Sequence, residues 1–353
     1  MERVKVAATS PDGPTSPSSF ERLPLGVGNW NLGVDTSLSR ADLHVHSRYS
    51  GVSGNLRFLR SRDCYSSPLD VYLVAKRRGM DVVTITDHDA IDGWRELMDA
   101  RPEAADILPG EEVSCRLPDG NIDVHLGVYG ITERLHTEIQ PLRRNVFDVI
   151  ARLRESGTFF ALNHLLHFYR EQAPLETYLR LLSAVPALEA RNGAMLPAHN
   201  ALAERLSREW RGGAPSIACV AGSDAHTLRR VGRTWTEAPG TTAAEFLTSL
   251  AAGLGRPGGR HGGLSAVAAD TYGVIGRYAA SVYGSGPPDH GGWHRAVCAF
   301  LIATSVPVQF LPAVIAAMGK SRERRAVAAA LEKLAAWPRA AAPWSTTAAD
   351  PQS

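Results

Sequence analysis

Residues 40–47 read Arg-Ala-Asp-Leu-His-Val-His-Ser, an apolar and polar alternation with the period of a half-buried β-strand. Residues two apart on a strand share a face, so His44 and His46 present two imidazoles side by side. Such a pair chelates zinc, manganese or iron when both rings are neutral. The same device recurs, because one short apolar run after another ends in or carries a His, Asp or Glu. Residues 81–86 (DVVTIT) deliver Asp87-His88-Asp89, and 107–114 (ILPGEEVS) carry Glu111 and Glu112. Residues 122–130 (IDVHLGVYG) carry His125, 158–163 (TFFALN) stop at His164, and 217–222 (IACVAG) lead to Ser223-Asp224-Ala225-His226.

The spaces between these runs read as helices. Ser67 suits an N-cap with Pro68 in the first turn and Gly79 after the end. Further helices are expected at about 91–100, 138–156, 174–183 and 198–211. Between the third and fourth apolar runs, Pro118-Asp119-Gly120-Asn121 has the chemistry of a hairpin turn. With 187–193 added, about seven strands result, most followed by a helix, with polar residues gathered at strand C-termini. In a βα barrel, that end is where sites are assembled.

Outside this core, residues 1–38 are rich in Pro, Ser, Gly and Thr and read as a mobile arm. Residues 47–67 read as a long loop, a feature often functional in compact domains. The barrel is expected to end near 252, with 253–263 (GLGRPGGRHGG) a Gly-rich linker and 264–353 a helical extension with a disordered end. Within that extension, 296–318 holds no charged residue over 23 positions, and Lys320, Arg322, Arg324 and Arg325 follow. The length meets the rule for a membrane span, whereas Pro307, Gln309 and Pro312 interrupt it. A membrane contact and a helical hairpin packed on the barrel therefore both stay open.

Charge is nearly balanced, 38 basic against 36 acidic residues, which argues against a dedicated nucleic-acid or polybasic membrane surface. Cys64, Cys115, Cys219 and Cys298 are widely spread, as reduced thiols of a cytoplasmic protein would be, and the first residues lack the apolar stretch of a signal peptide.

The candidate metal ligands are His44, His46, His88, Glu112, His125, His164, Asp224 and His226. Each has a plainer role available: His88 and His125 as core histidines, Asp224 as a helix cap, His164 bonded to a carbonyl. Gathering all of them unpaired at strand ends would cost several kcal/mol. Divalent cations remove that cost by balancing the carboxylates and ligating neutral imidazoles.

In order, the chain reads Asp-Leu-His-Val-His-Ser (42–47), Ile-Thr-Asp-His-Asp (85–89) and Gly-Glu-Glu-Val-Ser (110–114). His-Leu-Gly-Val-Tyr-Gly (125–130), Ala-Leu-Asn-His (161–164) and Gly-Ser-Asp-Ala-His (222–226) follow. As a set, over about residues 40–252, these segments resemble the PHP (polymerase and histidinol phosphatase) family of metal-dependent phosphoesterases. The resemblance implies an α/β fold, a distorted (β/α)7 barrel of PHP type, here with a C-terminal helical extension. It implies two or three divalent metal ions, zinc, manganese or iron, and hydrolysis of phosphate esters by a metal-activated water. By motif, His44, His46, Glu112 and Asp224 resemble the ligands of a first metal, and Glu112, His125 and His164 those of a second. His88 and His226 resemble ligands of a third. Of the two neighbouring glutamates the family pattern favours Glu112, with Glu111, on the opposite face of the strand, as the alternative.

One position departs from that pattern. Trinuclear members carry an Asp five residues after the second His of the first motif, and here Gly51 stands there. Either Asp63, further along the loop, replaces it, or the third ion is weakly held. Arg48 and Arg191 flank ligand-bearing segments and are candidate phosphate binders through their forked donors. The expected activity is hydrolysis of a small phosphorylated metabolite or a nucleotide. The alternatives are an exonuclease or oligonucleotide phosphodiesterase, with nucleic acid as the partner, and a metal-stabilised interaction protein without catalysis.

Overall fold

A computed structural model describes residues 37–51, 59–118, 122–167, 169, 174–209, 217–284, 292–305 and 308–336. The expected N-terminal arm up to residue 36 and the expected disordered end from 337 onward lie outside the described residues.

Seven strands form the staves of a barrel: β1 (Leu38–Asp42), β2 (Val82–Ile85), β3 (Ile107–Leu117), β4 (Ile122–Tyr129), β5 (Phe159–Leu162), β6 (Ala187–Asn192) and β7 (Ala218–Gly222). They lie in sequence order across one sheet. Neighbours are parallel except around β4, which runs antiparallel to both β3 and β5. The expected hairpin therefore exists, and its second strand is the one reversed stave. Closure comes from the residues just after β1. Leu43 N–H donates to Ala221 O at 3.3 Å, Asp224 N–H to His44 O at 2.8 Å, and His46 N–H to Ala225 O at 3.1 Å.

Helices α1 (Pro68–Arg77), α2 (Asp92–Ala100), α3 (Glu133–Ile139), α4 (Val146–Glu155), α5 (Leu175–Ala184) and α6 (Pro197–Glu209) follow the staves, and α7 (Ala243–Ala251) comes after β7. As expected, Ser67 caps α1, its hydroxyl accepting from Asp70 N–H at 3.1 Å, with Pro68 in the first turn. The single helix expected over 138–156 is instead three pieces, α3, a 3-10 turn at Gln140–Arg144, and α4. Pro141 lacks the N–H needed to continue α3, and Asn145 caps α4 by accepting from Phe147 N–H.

Helix α7 touches β2, β3, β5 and β7 at once, so it lies across one mouth of the barrel. Phe246, Leu247 and Leu250 pack there with Ala41, Val82, Leu108, Phe159, Ala187 and Ala218. Those are residues at or near the starts of the parallel strands. The opposite mouth, at the strands' C-terminal ends, is left for chemistry.

Two elements were not anticipated. Strand β8 (Thr234–Pro239) runs antiparallel to β1, and β9 (Arg256–Gly259) antiparallel to β8. Residues 253–263 are thus not a linker: they contain an edge strand. Gly259, at a φ of 87°, sits where a side chain would collide with Arg233 O and Thr234. A β-carbon on Gly262 would likewise meet Ala194 backbone. The glycines reflect close packing and not a loose tether.

Beyond β9 come α8 (Leu264–Tyr283), α9 (Gly292–Thr304) and α10 (Leu311–Ala336). The uncharged stretch 296–318 is divided between α9 and α10, with residues 306–307 outside the described part. Among the described residues no helix is long and apolar enough to cross a membrane, which corrects the membrane-span reading of 296–318. Helix α10 instead packs on the barrel: Val327, Ala330 and Leu334 are buried in the same core as Leu182, Leu202 and Leu206.

Candidate metal centre

The eight candidate ligands, His44, His46, His88, Glu112, His125, His164, Asp224 and His226, meet at the C-terminal mouth. Two reach it through strained backbone. Asp89, His164 and Asp224 have φ angles of 52°, 26° and 52°, in the left-handed region that costs a non-glycine residue about 1–3 kcal/mol. His164 and Asp224 turn toward Glu112 and the paired imidazoles, whereas Asp89 accepts from Ser114 N–H at 2.8 Å and pairs with Arg143. Asp42 accepts from Ser223 N–H at 2.7 Å and Gly232 N–H at 2.6 Å, which locks the first histidine segment to the last. Asp87 accepts from Ser47 N–H and Ser47 Oγ, both at 2.6 Å, locking the first segment to the second.

Glu112 is the hub, with no solvent exposure. Its Oε2 lies 3.2 Å from His44 Nε2, 3.6 Å from His46 Nε2 and 3.1 Å from His88 Nδ1. Its Oε1 lies 3.2 Å from His125 Nδ1 and 3.1 Å from His164 Nε2. Asp224 Oδ1 sits 3.6 Å from His44 Nε2 and 3.5 Å from His46 Nε2, opposite Glu112. Glu111 points the other way, where its carboxylate bonds His136 Nδ1 at 2.8 Å and Gln140 Nε2 at 3.0 Å.

The orienting groups fix which nitrogen faces inward. Glu189 Oε1 takes the Nδ1–H of His44 at 2.8 Å, and Ser50 Oγ pairs with His46 Nδ1 at 2.8 Å. Each ring therefore aims a bare Nε2 at the space between Glu112 and Asp224. Glu189 Oε2 also accepts from His164 N–H and Asn192 Nδ2, both at 2.9 Å, and Asn192 Nδ2 reaches Asp224 Oδ2 at 3.2 Å. Asn163 Nδ2 donates to Glu112 Oε1 at 2.9 Å. Glu189, Asn192, Asn163 and Ser50 were not among the sequence candidates. A signal existed for Glu189, a lone charge inside the apolar run Ala-Leu-Glu-Ala at 187–190.

Electrostatics state the same need. Burial alone would raise Glu112, but His44, His125 and His88 outweigh it and hold the carboxyl well below its ordinary value. Asp224 behaves likewise, burial being overcome first by His44. Burial, reinforced by His46 and His125, pushes His88 down to about 3 against the pull of Glu112. Burial lowers His46 as well, whereas at His44 and His164 burial is outweighed by Glu112, which raises both. Nε2 of His44 and of His46, Nδ1 of His88 and Oε2 of Glu112 are buried without a hydrogen bond. Each such atom costs about 1–3 kcal/mol unless a partner is supplied. Divalent cations fit these donors: His44, His46 and Glu112 place ligand atoms within 4.8 Å of one another, and so do His88, Glu112 and His125.

Asp63, at the end of the long loop, reaches the same mouth. Its Oδ2 lies 2.8 Å from His226 Nε2 and 3.6 Å from His88 Nε2. His226 presents its other nitrogen to Asp224 O at 3.2 Å. The two arginines behave differently from the histidines. Arg48 pairs with Glu96 Oε2 at 2.5 Å and keeps 43% of its side chain exposed. Arg191 is held by Glu204, at 2.7 Å, and by Gly259 O, at 3.3 Å.

Residues 197–254, from α6 to just past α7, match the family model described as PHP-associated. A 75-residue stretch is 37% identical to an uncharacterised protein of Methanocaldococcus jannaschii, covering 21% of this chain and 43% of that one. The chain thus spans less than half of that relative's length. Among solved structures, similarity is found to a two-domain Bacteroides vulgatus protein described as containing a predicted PHP-like metal-dependent phosphoesterase. Identity there is 16%, coverage 64% of this chain and 66% of that one, and the TM-score 0.46. A lesion-specific endonuclease from Pyrococcus furiosus is similar at 16% identity, with 61% and 56% coverage and a TM-score of 0.41. The matched stretch carries Asp224 and His226, and the rest of the barrel brings the other histidines and Glu112 to the same mouth, so over residues 197–254 this chain is similar to the PHP-associated family.

Proposed function

We propose that this chain is a metal-dependent phosphoesterase acting on a small phosphorylated metabolite or a nucleotide. The observation that carries this reading is Glu112, a fully buried carboxylate with five imidazole nitrogens within 3.6 Å of its two oxygens. Nε2 of His44 and of His46, Nδ1 of His88 and Oε2 of Glu112 lack a hydrogen bond there, and divalent cations would supply the missing partner. In this reading His44, His46, Glu112 and Asp224 hold one divalent ion, and Glu112, His125 and His164 a second, with Glu112 bridging. His88 and His226 belong to a third position. Mixed imidazole and carboxylate ligands suit zinc, manganese or iron. Bound ions would supply Lewis acidity, activating a water and neutralising phosphate oxygens. The chain's own part is to hold the rings in one tautomer through Glu189 and Ser50, and to keep both carboxylates ionised. Arg48, beside the first motif and partly exposed, has guanidinium donors to offer a phosphate. The nearly balanced charge favours a small substrate over a polymer.

The test is metal analysis of the purified protein, then a phosphate-release screen over sugar phosphates, nucleotides and short oligonucleotides. At least two transition-metal ions per chain are expected. Glu112→Gln should lower release by about a hundredfold or more while circular dichroism stays unchanged. Less than one ion per chain after metal-replete expression would overturn the reading. Cleavage confined to oligonucleotides would transfer it to a nuclease.

A further inference from the structure

The C-terminal extension touches the site at two points along a single helix, α8. Near its start, Asp270 accepts from Thr227 Oγ1 and, at 3.4 Å, from His226 N–H. One turn on, Gly273 lets the helix close on the same segment: a β-carbon there would stand 2.9 Å from Thr227 Cγ2. Farther along, Tyr278 donates its hydroxyl to Leu59 O at 3.1 Å. Tyr278, Val282 and Cys298 of α9 form a small buried cluster on which Leu59 and Tyr65 pack. Eight residues separate Asp270 from Tyr278, a span of about 12 Å along a helix. At one end of that span α8 grips the residue next to His226, and at the other the loop that carries Asp63.

That loop returns to the first motif at Gly51. Asp63 N–H donates to Gly51 O at 3.1 Å, Cys64 Sγ to His46 O at 3.3 Å, and Arg62 to Arg48 O at 2.7 Å. Gly51 has no side chain, and among the described residues nothing stands within 4 Å of where its β-carbon would be. Asp63 therefore brings a carboxylate beside a position that leaves room for one, and meets His226 and His88 there. Two imidazoles alone hold a divalent ion weakly, and an added carboxylate supplies both charge and a hard donor.

We propose that α8 is a strut which sets Asp63 against His226 and so completes, with His88, a third divalent-cation position in this chain. Tyr278 and Asp270 are positioning residues, acting through Leu59 and through the His226–Thr227 backbone. The inference rests on the metal-centre reading above.

The test titrates cobalt(II) alone into the chelator-treated full chain, following visible absorbance and bound metal per chain. Wild type should bind three ions. Asp63→Asn should bind two. Tyr278→Ala, which removes both the hydroxyl and the ring beneath Leu59, should weaken only the last ion, by about tenfold or more. Tyr278→Phe keeps the ring and should recover most of that loss, leaving a deficit of about threefold for the missing hydrogen bond. If Tyr278→Ala loses helix by circular dichroism, Tyr278→Phe decides alone: third-ion affinity equal to wild type overturns the strut. A Tyr278→Ala chain that folds and binds the third ion within twofold of wild type overturns it too. A wild-type chain that takes two tight ions and still releases phosphate overturns the third position and leaves the phosphoesterase reading intact. A chain that takes none overturns that reading as well.

Discussion

Glu189 shows how a residue that touches no substrate can govern a site. It takes the Nδ1–H of His44, the backbone N–H of His164 and the amide of Asn192, so one carboxylate sets two candidate ligands and the residue that steadies Asp224. Glu189→Gln keeps the volume but turns one oxygen into a donor, which either faces away from His44 or opposes the N–H groups. We expect metal affinity at the His44 position to fall about 10- to 100-fold, measured by competition with a chromogenic chelator. Unchanged affinity would show that packing alone orients His44. The inward-facing residues were legible because each ends or interrupts an apolar run, a local pattern. Glu189, Asn163 and Asn192 answer to those residues across the barrel, over separations that no window of sequence displays. Asp63 was legible only as an alternative, since nothing between residues 52 and 62 says where the loop returns.

At the scale of elements, barrel closure depends on one glycine. A β-carbon on Gly222 at the end of β7 would stand 2.3 Å from His44 Cβ and 2.4 Å from His44 N. Backbone and a ring pinned by Glu189 cannot both yield, so Gly222→Ala should push the first segment off β7. A loss of about 2–3 kcal/mol in urea unfolding is expected, with weaker metal binding. Gly276 on α8 has open space around its β-carbon, so Gly276→Ala should be neutral or stabilise by up to about 1 kcal/mol. Equal stability for the two variants would remove the closure argument. The staves and most helices were legible from periodicity and caps. The errors came where one residue overrode a pattern. Pro141 split an otherwise continuous amphipathic stretch, and glycines read as a tether were selected for close approach in β9 and the turn after it. Strand β8 alternates buried and half-buried residues, yet it follows the last ligand segment and so fell outside the repeating strand-and-ligand pattern.

For the whole molecule, the question is whether the extension is an appendage or part of the barrel. Its contacts are buried and polar as well as apolar. Glu323 accepts from Leu196 N–H at 2.6 Å, and Lys320 donates to Ala194 O at 2.6 Å and pairs with Glu323 at 2.6 Å. Residues 194–196 follow β6 directly, and Asn192 at the end of β6 steadies Asp224, so α10 holds a loop two residues from the site. Val327, Ala330 and Leu334 lie against Leu182, Leu202 and Leu206 in the main core. Removing the extension would bare those leucines and leave Leu196 N–H without its carboxylate. Burying a Val or Leu side chain contributes about 1.5–3 kcal/mol, so the loss reaches several kcal/mol even before the ion pair is considered. A chain ending at residue 262 should therefore melt roughly 10 °C or more below the full chain. It should also lose the third cobalt ion, because α8 would no longer hold Leu59 and Thr227. Calorimetry and metal counting on the same preparation separate the two effects. A truncated chain with the melting temperature and three ions of the full one would make the extension a passenger. Lowered melting with all three ions kept would leave α10 as a brace and remove α8 from the site.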